Sequence, residues 1–412
     1  MIKRHLDLQF STENLIVFFV AATYASYSLQ LVFVPEVMKY MVHLGRLGLF
    51  FCILFGYKYF KYSRISMILV LIPFLTGLGV IKGNWVNFVF HDFLNLSIIA
   101  MLLIKSNELD RLTERVTSVL SYLSIVGAIF SVIYLQSIQF SAAESLMTRL
   151  NFDTGDEELM LKNALALLRL SVFLLPFIWQ LKKFQKIAVI LSVMVFFAVS
   201  AMMLSRAGLG GVVISIFLTF LIGVKKRKIR LNKRLIGSLA IMSTCLVIFF
   251  QSYGETVVLL GELALKRAMG IEFTQGVEVK IDDPRDLEAE LFFASLSKSE
   301  WIFGRGLGGT NLNPFGKPSE RGLSMVHRGE NNLILKGGLL LLVIVYGALF
   351  YSAARLLFLK APYAAPYCAC ILLYLLFERG HTQISYMFST LFVVLAINYS
   401  SLASRRQKKE LV

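Results

Sequence analysis

Apolar runs of near-span length recur along the chain, at 15–34, 41–57, 65–81, 86–104, 116–135, 163–181, 187–204, 209–224, 235–252, 333–352, 361–377 and 382–400, with polar segments between them. A helix crossing the hydrocarbon core of a bilayer takes roughly 20 mostly apolar residues. The pattern therefore predicts an all-α polytopic membrane protein of about twelve spans. The first run is longer than a signal-peptide core and no small-residue cleavage site follows it, so it reads as a retained first span. Two interruptions are long: one near 136–162, the other from Gln251 to Asn332. This gives three regions: nine spans over 1–252 with an external loop near 136–162, a large loop or cap over 253–332, and spans ten to twelve with a basic tail over 333–412.

Composition agrees with a membrane protein and excludes a soluble domain: 57% of residues are apolar and the mean hydropathy is +0.68. The formal charge of +16 would suggest nucleic acid as partner in a soluble chain, but here its distribution explains it. Twelve runs put both termini on one side. The segments on that side hold 24 Lys and Arg, seven of them between Lys225 and Arg234. The opposite side, apart from the larger loop, holds six: Lys39, Lys82, Arg149, Lys162, Arg206 and Arg379. The positive-inside rule then places both termini in the cytoplasm and both long loops outside. The basic loops face anionic lipid, and no nucleic-acid partner is expected. Cys52, Cys245, Cys368 and Cys370 all fall inside apolar runs, which predicts reduced, buried thiols.

The larger external loop carries nine Lys and Arg against twelve Asp and Glu, and two helices are legible in it. One runs from about Glu255 to Met269 on Val258, Leu259, Leu263 and Leu265, with Lys266 and Arg267 in its last turn and Gly270 as its stop. The other has Asp283 as N-cap and Pro284 at its first position, and is expected to bury Leu287, Leu291 and Phe292. The loop is thus expected to form a small helical cap between spans nine and ten.

Nucleotide donors stay in the cytoplasm, so glycosyl chemistry outside must use a lipid-linked sugar, whose leaving group is a lipid phosphate or pyrophosphate. Its departure calls for cations and oriented N–H donors, and attack by a hydroxyl calls for a base. Arg206, in the external turn Ser205-Arg206-Ala207-Gly208, suits bidentate phosphate contact, or equally a snorkelling interfacial anchor. Arg285 stands in the first turn of the Asp283-capped helix, where free N–H groups favour an anion; a surface pair with Asp282 or Glu288 is the alternative. Arg267 and Arg305 are explained by helix-end complementation and a turn. His327, in His327-Arg328-Gly329-Glu330-Asn331-Asn332, is a plausible base at neutral pH, and His381 in the last external turn could line the same site. His91, Asp92, Arg46 and Arg169 are intramembrane and must pair or line a cavity, structural pairing being expected for His91 and Asp92. Gly304-Arg305-Gly306-Leu307-Gly308-Gly309 fits GxGxxG without a βαβ unit around it, and reads as a flexible turn that lets backbone approach a bulky ligand. No metal or other cofactor is called for by any motif.

In their order and sidedness, Ser205-Arg206, Arg285, Gly304-x-Gly306-x-Gly308 and His327 with Gly338 eleven residues on resemble the O-antigen polymerase and O-antigen ligase family. Arg328 stands where that family usually has Asn, and Leu341 where it has a second Gly. The resemblance implies a GT-C-like, metal-independent, inverting glycosyltransferase in the bacterial inner membrane, its active site facing the periplasm. It implies that Arg206 and Arg285 hold the donor pyrophosphate and that His327 is the base. Ser205, Arg267, Arg305, Arg328 and His381 would be further substrate contacts. The donor would be an undecaprenyl-pyrophosphate-linked oligosaccharide, with membrane lipids, a chain-length regulator and a flippase as candidate partners. A polymerase of repeat units is the preferred reading. A ligase to lipid A core and a lipid-linked oligosaccharide transporter are the alternatives.

Overall fold

The computed structural model describes residues 12–29, 35–55, 71–96, 106–137, 167–202, 206–225, 271–274, 277–280, 284–311, 329–378 and 387–410. Helices in chain order are α1 (Thr12–Leu29), α2 (Pro35–Phe55), α3 (Leu71–Ile81), α4 (Val86–Leu96), α5 (Ser106–Ser137), α6 (Leu167–Phe177), α7 (Lys183–Met202) and α8 (Arg206–Lys225). After them come a hairpin of β1 (Ile271–Thr274) and β2 (Val277–Lys280), then α9 (Pro284–Ala294), α10 (Lys298–Phe303), α11 (Gly329–Phe358), α12 (Ala364–Leu373) and α13 (Met387–Glu410). Eleven of the twelve apolar runs carry one of these helices; the ninth, 235–252, lies outside the described residues. Four stretches among the described residues are long and apolar enough to cross a membrane: Leu109–Gln136, Lys183–Ser200, Gly208–Lys225 and Gly329–Phe358. The chain is a helical membrane protein.

Its main core is built where α1, α5, α6, α7, α12 and α13 meet, around Tyr24, Leu120, Phe173, Phe177, Tyr367 and Phe392. With water absent, apolar side chains gain nothing by leaving lipid, so close approach and internal hydrogen bonds hold such helices together. α5 illustrates this. Its buried face carries Thr113, Thr117, Ser124 and Ser131, each donating to a carbonyl three or four residues earlier in the same helix at 2.6–2.8 Å. Their burial leaves no hydroxyl unpaired, and their small size admits neighbours. Ser192 of α7 donates to Ser124 at 3.2 Å, and the Tyr367 hydroxyl of α12 lies 2.6 Å from that of Thr113. Glycine serves the same end between α1 and α2, where a side chain at Gly45 would strike the Thr23 hydroxyl and one at Gly48 the Phe19 ring. Cys368 and Cys370 are free and buried as expected, while the side chains of Cys52 and Cys245 lie outside the described residues.

The cap departs from the expected all-helical form. The helix expected over 255–269 lies outside the described residues, and the next element is an antiparallel hairpin pairing Ile271 with Lys280 and Thr274 with Val277. The alternation Ile-Glu-Phe-Thr and Val-Glu-Val-Lys explains it: a two-residue period with β-branched residues suits a strand, not a helix. α9 begins at Pro284 as the sequence predicts and buries Phe292 fully, yet Leu291 is 43% exposed. Neighbouring positions on a helix are about 100° apart, so the buried face runs through Glu288, Ala289 and Phe292 instead.

Gly45→Ala should separate α1 from α2 at a cost of about 1–3 kcal/mol, the usual range for overpacking. Gly347→Ala, with open space around it, is the control. Thermal unfolding in detergent checks both: the expected result is a lower midpoint for the first and an unchanged one for the second.

Candidate functional site

Among the described residues, the glycine turn fastens the cap to the bundle. α11 is broken at Gly338, whose φ of 65° and ψ of −167° lie outside the helical range. The break removes the next helical turn as a source of donors, so the carbonyls of Leu335 and Lys336 need others. The backbone amides of Arg305 and Gly306 supply them, at 2.7 and 3.1 Å. The following amide, Leu307, donates to the Leu75 carbonyl of α3 at 3.0 Å, and Gly308 donates to Oδ2 of Asp92 on α4 at 2.7 Å. Four successive amides of the turn thus reach three different helices.

Such contact needs bare backbone. Gly304, Gly306 and Gly308 all have φ between 70° and 80°, the left-handed region that an L side chain rarely occupies. A Cβ on Gly304 would also lie 2.5 Å from the Gly337 amide and 2.7 Å from that of Gly338, and one on Gly306 would strike the backbone of Gly79. Leu307 between them is fully buried against Ile72, Leu75, Val89, Leu333 and Leu341. The turn is therefore docked and closed, not the flexible loop expected from its glycine content. Its glycines are spent on backbone-to-backbone packing.

Under the turn lies a buried ion pair. Lys336, 5% exposed, places its ammonium 2.7 Å from Oδ2 of Asp92 and donates to the Gly309 carbonyl at 2.9 Å. The pairing expected for Asp92 is present, and its partner is a residue the sequence reading did not single out. The signal existed: Lys336 is a lone cation inside an apolar run, and such a group must find a partner. His91, beside Asp92, sets its ring edge-on to that of His43 on α2 at 5.0 Å.

Where the α3–α4 turn meets α10, Glu300 ties three pieces together. It accepts from the Ser297 amide at 3.0 Å, closing a capping box at the start of α10, and pairs with Lys82 at 3.3 Å and with Arg305 at 3.4 Å. Partial burial pushes its carboxyl up, but the Ser297 amide and the two cations outweigh that and hold it below its ordinary 4.5. Asn84, in the α3–α4 turn, donates to the carbonyls of Arg305 and Leu307 at 2.8 and 2.9 Å. On the other flank, α9 lays Phe292 against Ile334 and Leu335 of α11, and Phe293 stacks on Trp301 at 5.1 Å.

Of the site residues expected from sequence, Arg305 is described in full. Its Nη1 donates to the Thr310 carbonyl and its Nη2 to the carbonyl and hydroxyl of Ser295, so it clamps the turn to α9. Arg206 opens α8 and Arg285 stands in the first turn of α9, three residues before the buried Glu288; their side chains lie outside the described residues. Ser205, Arg267, His327, Arg328 and His381 also lie outside them. A shallow apolar recess opens between α6, α7, α8 and α12, lined by Arg169, Phe196, Gly211 and Phe377 among others. Among the described residues no group of His, Cys, Asp and Glu is placed to hold a metal ion.

Lys336→Met should cost about 2–3 kcal/mol by stranding a largely enclosed carboxylate, and adding Asp92→Leu should recover part of it. Hydrogen exchange of the amides from Arg305 to Gly308 reads this directly: fast in the single variant, slower again in the double. Glu300 has a lowered pKa when folded, so its contribution is complete above pH 4.5 and is lost as pH falls below that value. Exchange at α10 should rise across the same acid range, and Glu300→Gln should flatten the profile.

No protein-family model, no curated protein and no solved structure matches the chain. The reading of its chemistry therefore rests on its own residues and their geometry.

Proposed function

We propose that the chain is a periplasm-facing, metal-independent glycosyltransferase that polymerises undecaprenyl-pyrophosphate-linked oligosaccharide repeat units in the bacterial inner membrane. The proposed architecture is GT-C-like, with about twelve spans and both termini in the cytoplasm. One observation carries the reading. The glycine turn and Gly338 were singled out as separate parts of one motif order, and they are in backbone contact, with Gly304 against Gly337 and Gly338 and Gly338 against Ile302. A motif order whose distant members meet is better support than any one of them. His327 precedes Gly329, the first residue of α11, by two positions, so the same junction would carry the base.

In this mechanism His327 takes the proton from an acceptor sugar hydroxyl. The freed oxygen forms a bond to the anomeric carbon of the donor from the face opposite the leaving group, and the configuration inverts. The bond from that carbon to the pyrophosphate oxygen breaks, leaving undecaprenyl pyrophosphate, whose charge Arg206 and Arg285 hold. Ser205, Arg267, Arg328 and His381 are further candidate contacts. Arg305, with its donors spent on Ser295 and Thr310, suits a supporting role around the turn.

The test uses purified protein in nanodiscs with the lipid-linked repeat unit alone, resolved by size. A ladder of products supports the polymerase. Transfer only after lipid A core is added makes the protein a ligase, which shares the chemistry, and silence in both overturns glycosyl transfer in favour of a transporter. His327→Ala and Arg285→Ala should each lower the rate at least about 100-fold with normal membrane yield. Full activity in either variant removes that residue from the mechanism.

A further inference from the structure

Among the described residues, Arg46 is a buried cation whose guanidinium nitrogens all lack a hydrogen-bond partner. It lies on α2 and is 1% exposed. Arginine stays protonated inside proteins, so burial cannot be relieved by losing the proton. Asp92, the acidic group next to the nearby His91, is already committed to Lys336 and to the Gly308 amide. Among the described residues the titratable neighbour of this guanidinium is the Tyr27 hydroxyl of α1, and no carboxylate hydrogen-bonds to its five N–H donors, an arrangement that lipid-embedded helices do not tolerate without a counter-charge.

The surroundings show where that counter-charge can enter. On its α1 side, α2 is closed, with Gly45 and Gly48 packed tightly on Thr23 and Phe19. On its α4 side the contacts are between rings: His43 meets His91 at 5.0 Å, and Phe50 meets Phe93 at 5.2 Å. His43 is three residues before Arg46 and Phe50 four after, so all three share one face of α2. Arg46 thus stands between two ring contacts that can slide or part without breaking a helix.

We propose that Arg46 is the anchor of an anion site inside the bundle, and that the site takes a phosphate group entering through the α2–α4 seam. A guanidinium fork matches a pair of phosphate oxygens, and the bilayer around the helices is rich in phosphate carried on apolar tails. The phosphate of a lipid and free phosphate or pyrophosphate are the two sources of this chemistry. Arg46 lies on α2, whereas Arg206 opens α8 and Arg285 is on α9, and binding here does not depend on glycosyl transfer.

The full chain in detergent is titrated with three probes: inorganic pyrophosphate, phosphatidic acid in mixed micelles, and diacylglycerol as the same tails without phosphate. Affinity is read from thermal stabilisation. Phosphatidic acid is expected to stabilise and diacylglycerol not. Arg46→Gln should weaken phosphatidic acid binding at least about tenfold, and Arg46→Lys less, because a point charge replaces a fork. Stabilisation by pyrophosphate that Arg46→Gln abolishes also supports the site and identifies the free anion as its source. Equal affinity in wild type and Arg46→Lys, or equal effects of phosphatidic acid and diacylglycerol, overturns the site even if Arg46→Gln does not fold.

Discussion

The cap and the bundle depend on one exchange of hydrogen bonds. A helix broken inside the membrane boundary strands carbonyl groups, and in lipid each stranded group costs several kcal/mol. Here the break at Gly338 is tolerable because the glycine turn delivers Arg305 and Gly306 to the exposed carbonyls, while Lys336 and Asp92 fix the turn from beneath. Each half makes the other possible. Without the break the amides of Arg305 and Gly306 lose their acceptors, and without the turn the break is too costly. The residues 339–358 beyond the break are about 30 Å long as a helix, enough to span alone. The nine residues before the break are free to serve as the floor of the cap.

This arrangement sorts the cations of the site by what they do. Lys82 and Arg305 share Glu300 where all three side chains are partly exposed, so water screens the pairs and each contributes modestly. Lys336 is buried and meets its carboxylate directly, so its role is to fix position. Arg46, deeper on another helix, meets no such partner among the described residues. Surface, junction and interior thus hold cations that are shared, paired and unpaired respectively.

Much of this was legible in the chain. The apolar runs place the helices, Pro284 places the start of α9, and the glycines at 304, 306 and 308 mark a turn. What the sequence could not supply was partnership. Glycine at three alternate positions signals permitted backbone freedom, but the same signal fits a mobile loop or a docked one; only the neighbours Gly79, Gly337 and Val89 decide for docking. Lys336 stands out in the sequence as a lone cation in an apolar run, but nothing in the pattern names its partner, Asp92, 244 positions earlier and 2.7 Å away. The hairpin at 271–280 was hidden for a different reason. Four-residue strands are too short to stand out against the longer helical period sought in the same loop.

The docked turn also shapes which sequences could occupy this fold. The contacts of Arg305, Gly306 and the Leu307 amide run from amide to carbonyl, which every residue but proline can supply, so this part of the joint makes little demand on side-chain identity. The demand falls instead on the absence of side chains at Gly79, Gly304, Gly306, Gly308 and Gly338, where any Cβ would meet backbone. A joint of this kind is recorded in a chain as a spacing of empty positions. Two proteins could share it while agreeing in almost nothing else, and the similarity would be invisible to any comparison that counts matching side chains.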